Sequence, residues 1–312
     1  MPFLIENDYS PVYELYISLH AFIARRRHAL LDLGKDWAVR VRHGLNKDFA
    51  SRLARIKPES RACVIVPSLV WKTPPAYRQD IGAYLNWLAS LPANDTFSLF
   101  QTSARIEVLN KCSDLQKARD QAVEVLNLWY EQYYRAVESD LAPKLAEKAE
   151  LQKIAAKDAN PEDFIEQLTF GLRMQPIAAT QTVVLIPQYH FSPWDVYDLT
   201  RDSLILYYPA NIDTVEPGKP SLALLRLTRA LSDENRLRIL RFLSEGQRSF
   251  SEVVRFSGLA KSTVHHHLVA LRASGLVRIL VADGNPGNPD RFTLRPGVTE
   301  YVSEQLSGFL NE

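Results

Sequence analysis

The chain has 312 residues, 46% of them hydrophobic and 23% charged, a composition that is typical of a folded protein of about two domains and excludes a disordered or fibrous chain. No apolar run approaches the ~20 residues of a membrane helix, and the opening "MPFLIENDYS" has acidic residues where a secretory signal has basic ones. We therefore expect a cytoplasmic protein without membrane contact, in which Cys63 and Cys112 stay reduced, because two isolated cysteines make no disulfide framework.

The first two hundred residues are predicted to be mostly helical. Ser10 can cap a helix that begins at Pro11, and apolar side chains follow at helical spacing as far as Ile23. The basic run at 25–27 interrupts this pattern and is interpreted as a solvated turn, with a DNA or phosphate contact as the alternative. Further helices are predicted around 76–91, 114–138, 140–157 and 161–173, with Pro143 and Pro161 near the starts of the last two.

Two segments near the end of this region are predicted to be buried strands. Residues 182–191, "TVVLIPQYHF", and 203–210, "SLILYYPA", are rich in β-branched, aromatic and other apolar side chains. The segment 209–221, "PANIDTVEPGKPS", then holds three prolines and one glycine and lacks a periodic apolar face. It predicts a linker, with one domain at 1–216 and another at 217–312.

The charge is divided unevenly along the chain. The whole chain has a net charge of +1, from 37 Lys+Arg and 36 Asp+Glu. Residues 219–312 hold 13 Lys+Arg against 9 Asp+Glu, a net charge of 13 − 9 = +4, and the first 218 residues hold 24 against 27, a net charge of −3. A basic C-terminal third is typical of a nucleic-acid-binding module beside a neutral or acidic domain.

The C-terminal third predicts a succession of short helices followed by a hairpin. Leucines at 222, 225, 227 and 231 mark one helix, and Asp233 can cap a second whose core face is Leu237, Leu240 and Leu243. Ser249 and Glu252 match a capping box that begins a third helix, and a fourth covers 261–274. Strands at 276–282 and 290–294 flank the turn-forming "DGNPGNP", and a last amphipathic helix covers 299–310.

Two short helices joined by a glycine turn form a helix–turn–helix, and a hairpin directly after the second helix is a wing. The carrying residues are "ALSDENRLRILRFLSEG", "SFSEVVRFSGLAKSTVHHHLVALRASGLVR" and the Gly/Asn-rich wing. Over roughly 90 residues, a length that suits one such domain, they resemble ArsR-type (ArsR/SmtB-like) winged helix–turn–helix transcriptional regulators. The opening "SPVYELYISLHAF" is similar to the start of the extra N-terminal domain in long members.

The resemblance implies a homodimer on double-stranded DNA. In that family the second helix of the motif reads DNA, the wing touches the backbone, and the first and last helices of the module pair two subunits. The fold class expected is mainly α, with an N-terminal mostly helical domain that contains a small strand element and a C-terminal winged helix–turn–helix.

Three consecutive histidines lie on the predicted recognition helix. Three apolar residues form its buried stripe: Val264, Leu268 and Leu271. His265 and His266 lie about 100° and 200° from Val264, so they face outward, and His267 lies at the edge of the stripe. Neighbouring positions on a helix do not converge on one ion, and the metal ligands of family sensors are missing from "RSFSEVVRF" and "TEYVSEQLSGFL". We expect no metal site and no cofactor.

The exposed side of this helix and the wing are the candidate DNA contacts. Lysine and arginine suit phosphates, and serine, threonine, histidine and asparagine supply hydrogen bonds to bases or backbone. The predicted DNA-binding residues are Lys261, Ser262, Thr263, His265, His266, Arg272, Asn285, Asn288 and Arg291. For both Arg272 and Arg278, a phosphate contact and a solvated charge are the two alternatives. Ala260 stands where related sequences often have a serine cap, and Ser262 could take part of that role.

The function of the first domain stays open. It holds all five tryptophans, which indicates an aromatic core or, alternatively, a pocket for a small-molecule effector. The segment "PQYHFSPWD" groups His190, Ser192 and Asp195 but has no nucleophile elbow, so we expect no catalytic residues. Three hypotheses remain: a dimeric regulator with a sensor or oligomerisation domain, which we favour; a regulator whose first domain binds a protein partner; and an enzyme fused to a DNA-binding domain.

Overall fold

The computed structural model describes residues 4–56, 68–92, 95, 114–174, 181–200, 203–212, 218–281 and 291–311. The helices, numbered in chain order, are Pro11–Ile23 (α1), Gly34–Gly44 (α2), Lys47–Arg55 (α3), Ser68–Lys72 (α4), Ile81–Ser90 (α5), Leu115–Trp129 (α6), Arg135–Ala155 (α7), Pro161–Leu168 (α8), Leu222–Leu231 (α9), Glu234–Ser244 (α10), Phe250–Ser257 (α11), Lys261–Ala273 (α12) and Val298–Leu310 (α13). The strands are Leu4–Asn7 (β1), Leu172–Met174 (β2), Thr182–Gln188 (β3), Val196–Leu199 (β4), Ser203–Pro209 (β5), Val277–Val281 (β6) and Arg291–Leu294 (β7). The fold is mainly α with small strand elements, as predicted. Cys63, Cys112 and the wing loop lie outside the described residues.

The chain forms two compact units whose boundaries differ from the predicted division at residue 216. The N-terminal unit comprises the described residues within 3–157 and 179–210, and the C-terminal unit those within 158–178 and 211–312. The chain therefore leaves the N-terminal unit after Lys157, returns to it, and leaves it again after Ala210. The difference arises because α8 and β2 belong to the C-terminal unit by their contacts.

Four described strands form a mixed sheet in the N-terminal unit. Their order is β1-β3-β5-β4, with β1, β3 and β5 parallel and β4 antiparallel to β5. Every residue of β5 and all but the first of β3 are buried, as their apolar runs predicted, because α1 and α7 both contact β3. β1 and β4 were not predicted, because a four-residue segment is too short to show a period of two.

α6 and α7 form one continuous helical run rather than the two helices predicted. A π-helical turn, Tyr130–Tyr134, joins them, and Pro143 lies inside α7 instead of near a helix start. Proline removes one hydrogen bond from the helix interior. The helix continues through it because Leu141, Leu145 and Ala149 are buried and α7 packs on β1 and β3.

The C-terminal unit contains a three-stranded sheet of the order β2-β6-β7. β6 and β7 are the antiparallel wing strands, and β2 pairs in parallel with β6, with Leu172 opposite Ile279. The helix predicted over 161–173 ends at Leu168, because Phe170 and Gly171 have φ angles of 55° and 122° that a helix does not allow.

Gly171 fits β2 closely against the wing. The Ile279 N–H donates to the Gly171 carbonyl oxygen at 2.8 Å. A Cβ atom at position 171 would lie 2.7 Å from the Val277 carbonyl oxygen, which is closer than side-chain carbons approach a backbone oxygen. Only glycine combines this φ angle with this contact.

Candidate nucleic-acid interface

A helix–turn–helix is formed by α11, a turn at Gly258 and α12. α11 begins with the predicted capping box: the Ser249 N–H donates to Glu252 Oε2 at 2.8 Å, and the Glu252 N–H donates to Ser249 Oγ at 3.3 Å. The hydrogen bond from the Ser249 backbone holds the pKa of the Glu252 carboxyl below its ordinary value. Gly258 has a φ of 69°, the left-handed conformation that ends α11 and permits the tight turn.

The recognition helix α12 buries one stripe and exposes most of the predicted DNA-contacting side chains. Val264, Leu268 and Leu271 are buried, as predicted. Five of the predicted contact residues are exposed on the remainder of the helix: Lys261, Ser262, Thr263, His265 and His266. The rings of His265 and His266 have centroids 6.0 Å apart and planes at 65°. The helix therefore presents one cation and four polar side chains to solvent.

The N-terminus of α12 has no side-chain cap among the described residues. Ala260 occupies the cap position in an extended conformation, and the Ser262 hydroxyl does not replace the missing cap. The alternative in which Ser262 caps a later helix start is therefore wrong, and this hydroxyl stays available. Uncapped N–H groups at a helix N-terminus favour a phosphate oxygen as their acceptor.

His267 lies at the edge of the core, as predicted. Only 13% of its side chain is exposed, and its Nδ1 atom is 3.9 Å from Asp233 Oδ1. Asp233 caps α10 by accepting the Arg236 N–H at 3.0 Å, and this hydrogen bond holds the pKa of the Asp233 carboxyl below its ordinary value. His267 therefore belongs to the packing between α10 and α12 rather than to the exposed side.

The other predicted contacts lie beyond the recognition helix. Arg272 is half-buried near the end of α12. Arg291 begins β7 and is exposed, with Nη1 3.6 Å from Glu252 Oε2, so a phosphate would compete with this carboxylate for it. Asn285 and Asn288 lie outside the described residues and stay predictions.

Arg278, on β6, is held by an acidic residue that the sequence did not reveal. Its Nε–H donates to Glu166 Oε1 at 2.6 Å, and Glu166, on α8, is buried. This ion pair makes Arg278 an anchor for the base of the wing rather than a phosphate contact or a solvated charge. The two residues are 112 positions apart, and no local pattern signals a pair at that separation.

Apolar side chains on α9, α10 and α13 are left uncovered. Leu237, predicted on the core face of α10, is 48% exposed, so that core prediction is wrong. Leu222, on α9, is 47% exposed. None of the described residues of α13 is buried, and Leu306 and Leu310 are 46% and 69% exposed. α9 packs on α13, and each of these two helices keeps exposed apolar side chains.

His190, one of the three residues that the sequence grouped, belongs to a buried hydrogen-bond network with other partners. His190 Nδ1–H donates to Glu14 Oε1 at 2.6 Å, and the Tyr133 hydroxyl donates to His190 Nε2 at 2.7 Å. The Trp37 indole N–H donates to the Tyr133 oxygen at 2.8 Å. Burial raises the pKa of the Tyr133 phenol, which keeps it a neutral donor. Both nitrogens of His190 are thereby occupied, so Ser192 and Asp195 do not form a triad with it.

The described part of the chain contains neither a membrane-spanning helix nor a cluster of potential metal ligands. None of its helices has both the length and the apolar character that spanning a bilayer requires. Three or more potential metal ligands do not come together anywhere within it. The expectation of no metal site stays a prediction.

Comparison with known proteins identifies the C-terminal motif. Residues 233–278 match the family described as "bacterial regulatory protein, arsR family". This match covers α10, the helix–turn–helix and the start of β6, the same residues that carry the exposed polar side chains described above. The C-terminal unit therefore carries an ArsR-type DNA-binding motif.

Among solved structures, the chain is similar to a possible transcriptional regulatory protein (fragment 1–100) from Mycobacterium bovis. The identity is 23%, the alignment covers 29% of this chain and 92% of that one, and the TM-score is 0.23, from which we infer nothing. No curated protein matches the chain.

Proposed function

Because residues 233–278 match the arsR family, we propose that the chain is a sequence-specific transcriptional regulator. We propose that it binds double-stranded DNA as a homodimer in the cytoplasm. The observation that carries this proposal is the exposed side of α12, where Lys261, Ser262, Thr263, His265 and His266 face solvent over a fully buried apolar stripe. A helix of this kind enters the major groove with its first residues against the base edges.

The exposed side chains have two proposed roles: some bind phosphates and position the helix, and others bind base edges and read the sequence. Lys261 binds a phosphate, and the uncapped start of α12 supports it with backbone N–H groups. Thr263, His265 and His266 supply hydrogen bonds to base edges, and Ser262 serves either group. Arg272 and Arg291, with Asn285 and Asn288 in the wing, contact the backbone at the sides of the recognition helix.

Removing the His266 imidazole is expected to weaken specific binding more than random binding. In His266→Ala, affinity for a duplex from upstream of the protein's own coding region should fall by about 1–3 kcal/mol, because one base contact is lost. Affinity for random DNA should change little. Fluorescence anisotropy with both duplexes measures this ratio.

Lys261→Ala is the matched comparison on the same helix. It should weaken binding to both duplexes alike and lower the slope of log K against log salt by about 0.9, the value for one phosphate contact. A specific-to-random ratio that stays at the wild-type value in His266→Ala would contradict the reading role of this residue.

The uncovered apolar surface of α9 and α13 supports the homodimer. Leu222, Leu306 and Leu310 are each about half exposed or more, and burying such side chains against a second copy is favourable by ~25 cal/mol per Å2 of apolar surface. A two-fold axis pairs the same surface on both copies and leaves no open end. The resemblance to ArsR-type regulators gives these two helices the same role.

Placing a charge on this surface is expected to separate the copies. In Leu306→Glu, a two-fold interface would bury two carboxylates near each other, and dimerisation should weaken roughly 100-fold or more. Leu151→Glu is the matched control, since Leu151 is 55% exposed on α7 in the N-terminal unit. Sedimentation across a concentration series measures both, and an undiminished dimer in Leu306→Glu would contradict this interface.

The N-terminal unit is proposed as the effector or interaction domain. Its strands β3 and β5 are buried, and Trp37, Trp129 and Tyr133 form an aromatic cluster beside His190. The occupied nitrogens of His190 favour this role over catalysis. We propose neither a metal nor a cofactor for it.

A further inference from the structure

The N-terminal unit has a strongly basic surface that the helix–turn–helix does not explain. It consists of the exposed sides of the 3-10 helix Arg25–Leu30 and of α2, and its cations are Arg25, Arg26, Arg27, Lys35, Arg40 and Arg42. The two elements are consecutive in the chain and pack on each other. We call this the basic surface.

The segment that carries this surface has a positive net charge, whereas the rest of the first 218 residues has a negative one. Residues 25–44 hold six Lys+Arg and two Asp, a net charge of 6 − 2 = +4. The first 218 residues have a net charge of −3, so the remainder of them has −3 − 4 = −7. A concentration of positive charge on an otherwise acidic region attracts a polyanion to one place.

Three cations of the basic surface, Arg25, Arg26 and Lys35, differ from other cations of the N-terminal unit in their distance from carboxylates. Elsewhere in the N-terminal unit Arg52, Arg78, Arg119, Arg135, Lys144 and Lys153 each lie within 4 Å of a carboxylate. Among the described residues, no acidic side chain comes within that distance of Arg25, Arg26 or Lys35. Their charge is therefore available to a ligand.

The segment that carries the three arginines is anchored to the core by the next residue, His28. His28 is buried, and its Nε2 lies 3.1 Å and 2.8 Å from the carbonyl oxygens of Ala21 and Phe22, at the end of α1. The His28 ring also packs against Trp37 of α2, with centroids 6.2 Å apart. Because the fourth residue of the run is anchored in the core, the three arginines before it are held outward, and less conformational entropy is lost when they bind.

We propose that the basic surface binds the phosphate backbone of the same DNA that the recognition helix engages, as a second contact that is independent of sequence. This inference rests on the proposed function, which brings DNA to the chain, and charge complementarity then favours phosphates as the occupant. The N-terminal unit thereby adds affinity and salt dependence, and the recognition helix adds sequence preference.

The test compares salt dependence in the full chain on a random-sequence duplex. In the double variant Arg25→Ser/Arg26→Ser, the slope of log K against log salt should fall by about 1.8, or about 0.9 for each of two lost phosphate contacts. Fluorescence anisotropy with a labelled duplex of about 60 base pairs measures it. The control Lys153→Ser/Lys157→Ser removes the same charge from exposed positions of the same unit and should keep the wild-type slope.

A second variant separates binding from folding. Arg25→Lys/Arg26→Lys keeps both charges and should keep the slope, so a loss confined to the serine variant, with an unchanged unfolding midpoint, supports the proposal. Equal slopes in wild type and serine variant would overturn it, and the proposed function would stand if Lys261→Ala still lowers the slope. Wild-type protein that binds no duplex would overturn both. Vesicles rich in phosphatidylserine that bind the wild type but not the serine variant, with equal DNA slopes, would assign the surface to anionic lipid.

Discussion

Glu14→Ala is expected to destabilise the N-terminal unit by about 3–5 kcal/mol, the usual cost of breaking a buried polar pair. Glu14 is 1% exposed and its carboxylate accepts three hydrogen bonds: from the Tyr189 N–H at 3.1 Å, the His190 N–H at 2.9 Å and His190 Nδ1–H at 2.6 Å. The variant removes the acceptor of all three donors, and the two His190 donors are buried.

Tryptophan fluorescence during urea unfolding measures this loss selectively, because all five tryptophans lie within the N-terminal unit. Glu131→Ala is the matched control: its carboxylate pairs with Arg135 at 2.8 Å but 55% of it is exposed, so removing it should cost less than about 1 kcal/mol. Equal effects of the two substitutions would show that the Glu14 network does not hold the unit together.

Gly171→Ala is expected to have a comparable effect on the C-terminal unit. The new methyl group would lie 2.7 Å from the Val277 carbonyl oxygen at a φ of 122°. Either the backbone moves or β2 separates from β6, and we expect a cost of about 3–5 kcal/mol from strain and overpacking together. Hydrogen exchange at the Val277–Val281 amides reads out the opening of this strand.

Gly258→Ala is the matched control, because it introduces the backbone strain of a positive φ angle without a steric clash. Gly258 also has a positive φ, 69°, but a Cβ atom there would meet nothing within 4 Å, so only the left-handed backbone penalty of about 1–2 kcal/mol applies. If Gly171→Ala cost no more than Gly258→Ala, the close contact between β2 and the wing would be refuted.

The C-terminal helices could be predicted because their signals are local. Ser249 and Glu252 are three positions apart, Gly258 ends α11 beside them, and Val264 and Leu268 are one turn apart on α12. Each of these features acts within a single helix or turn, where sequence spacing and spatial distance correspond.

The features that escaped prediction depend on distant partners. β2 pairs with β6 about a hundred positions later, and Glu14 meets His190 across 176 positions. A three-residue strand has no period of its own, and a buried carboxylate in an apolar helix reads as a surface residue until its partner is known. Contacts of this range depend on topology, which the spacing of apolar residues does not encode.

Local rules also failed where packing outweighed them. Pro143 ordinarily indicates a helix start, but the burial of Leu141 and Leu145 keeps α7 continuous through it. Leu237 fits a core stripe by spacing, but Ile239 takes that place and Leu237 is 48% exposed. In both cases the local sequence permits two arrangements, and tertiary packing stabilises the one that the local rule does not predict.

The central proposal is sequence-specific DNA binding by the ArsR-type motif. It is tested most directly by fluorescence anisotropy of the full chain with a labelled duplex from upstream of its own coding region, beside a random duplex, at several salt concentrations. We expect tighter binding to the upstream duplex, by a factor of about 1,000 or more, with log K falling linearly as log salt rises. No binding to either duplex at low salt would contradict the proposal.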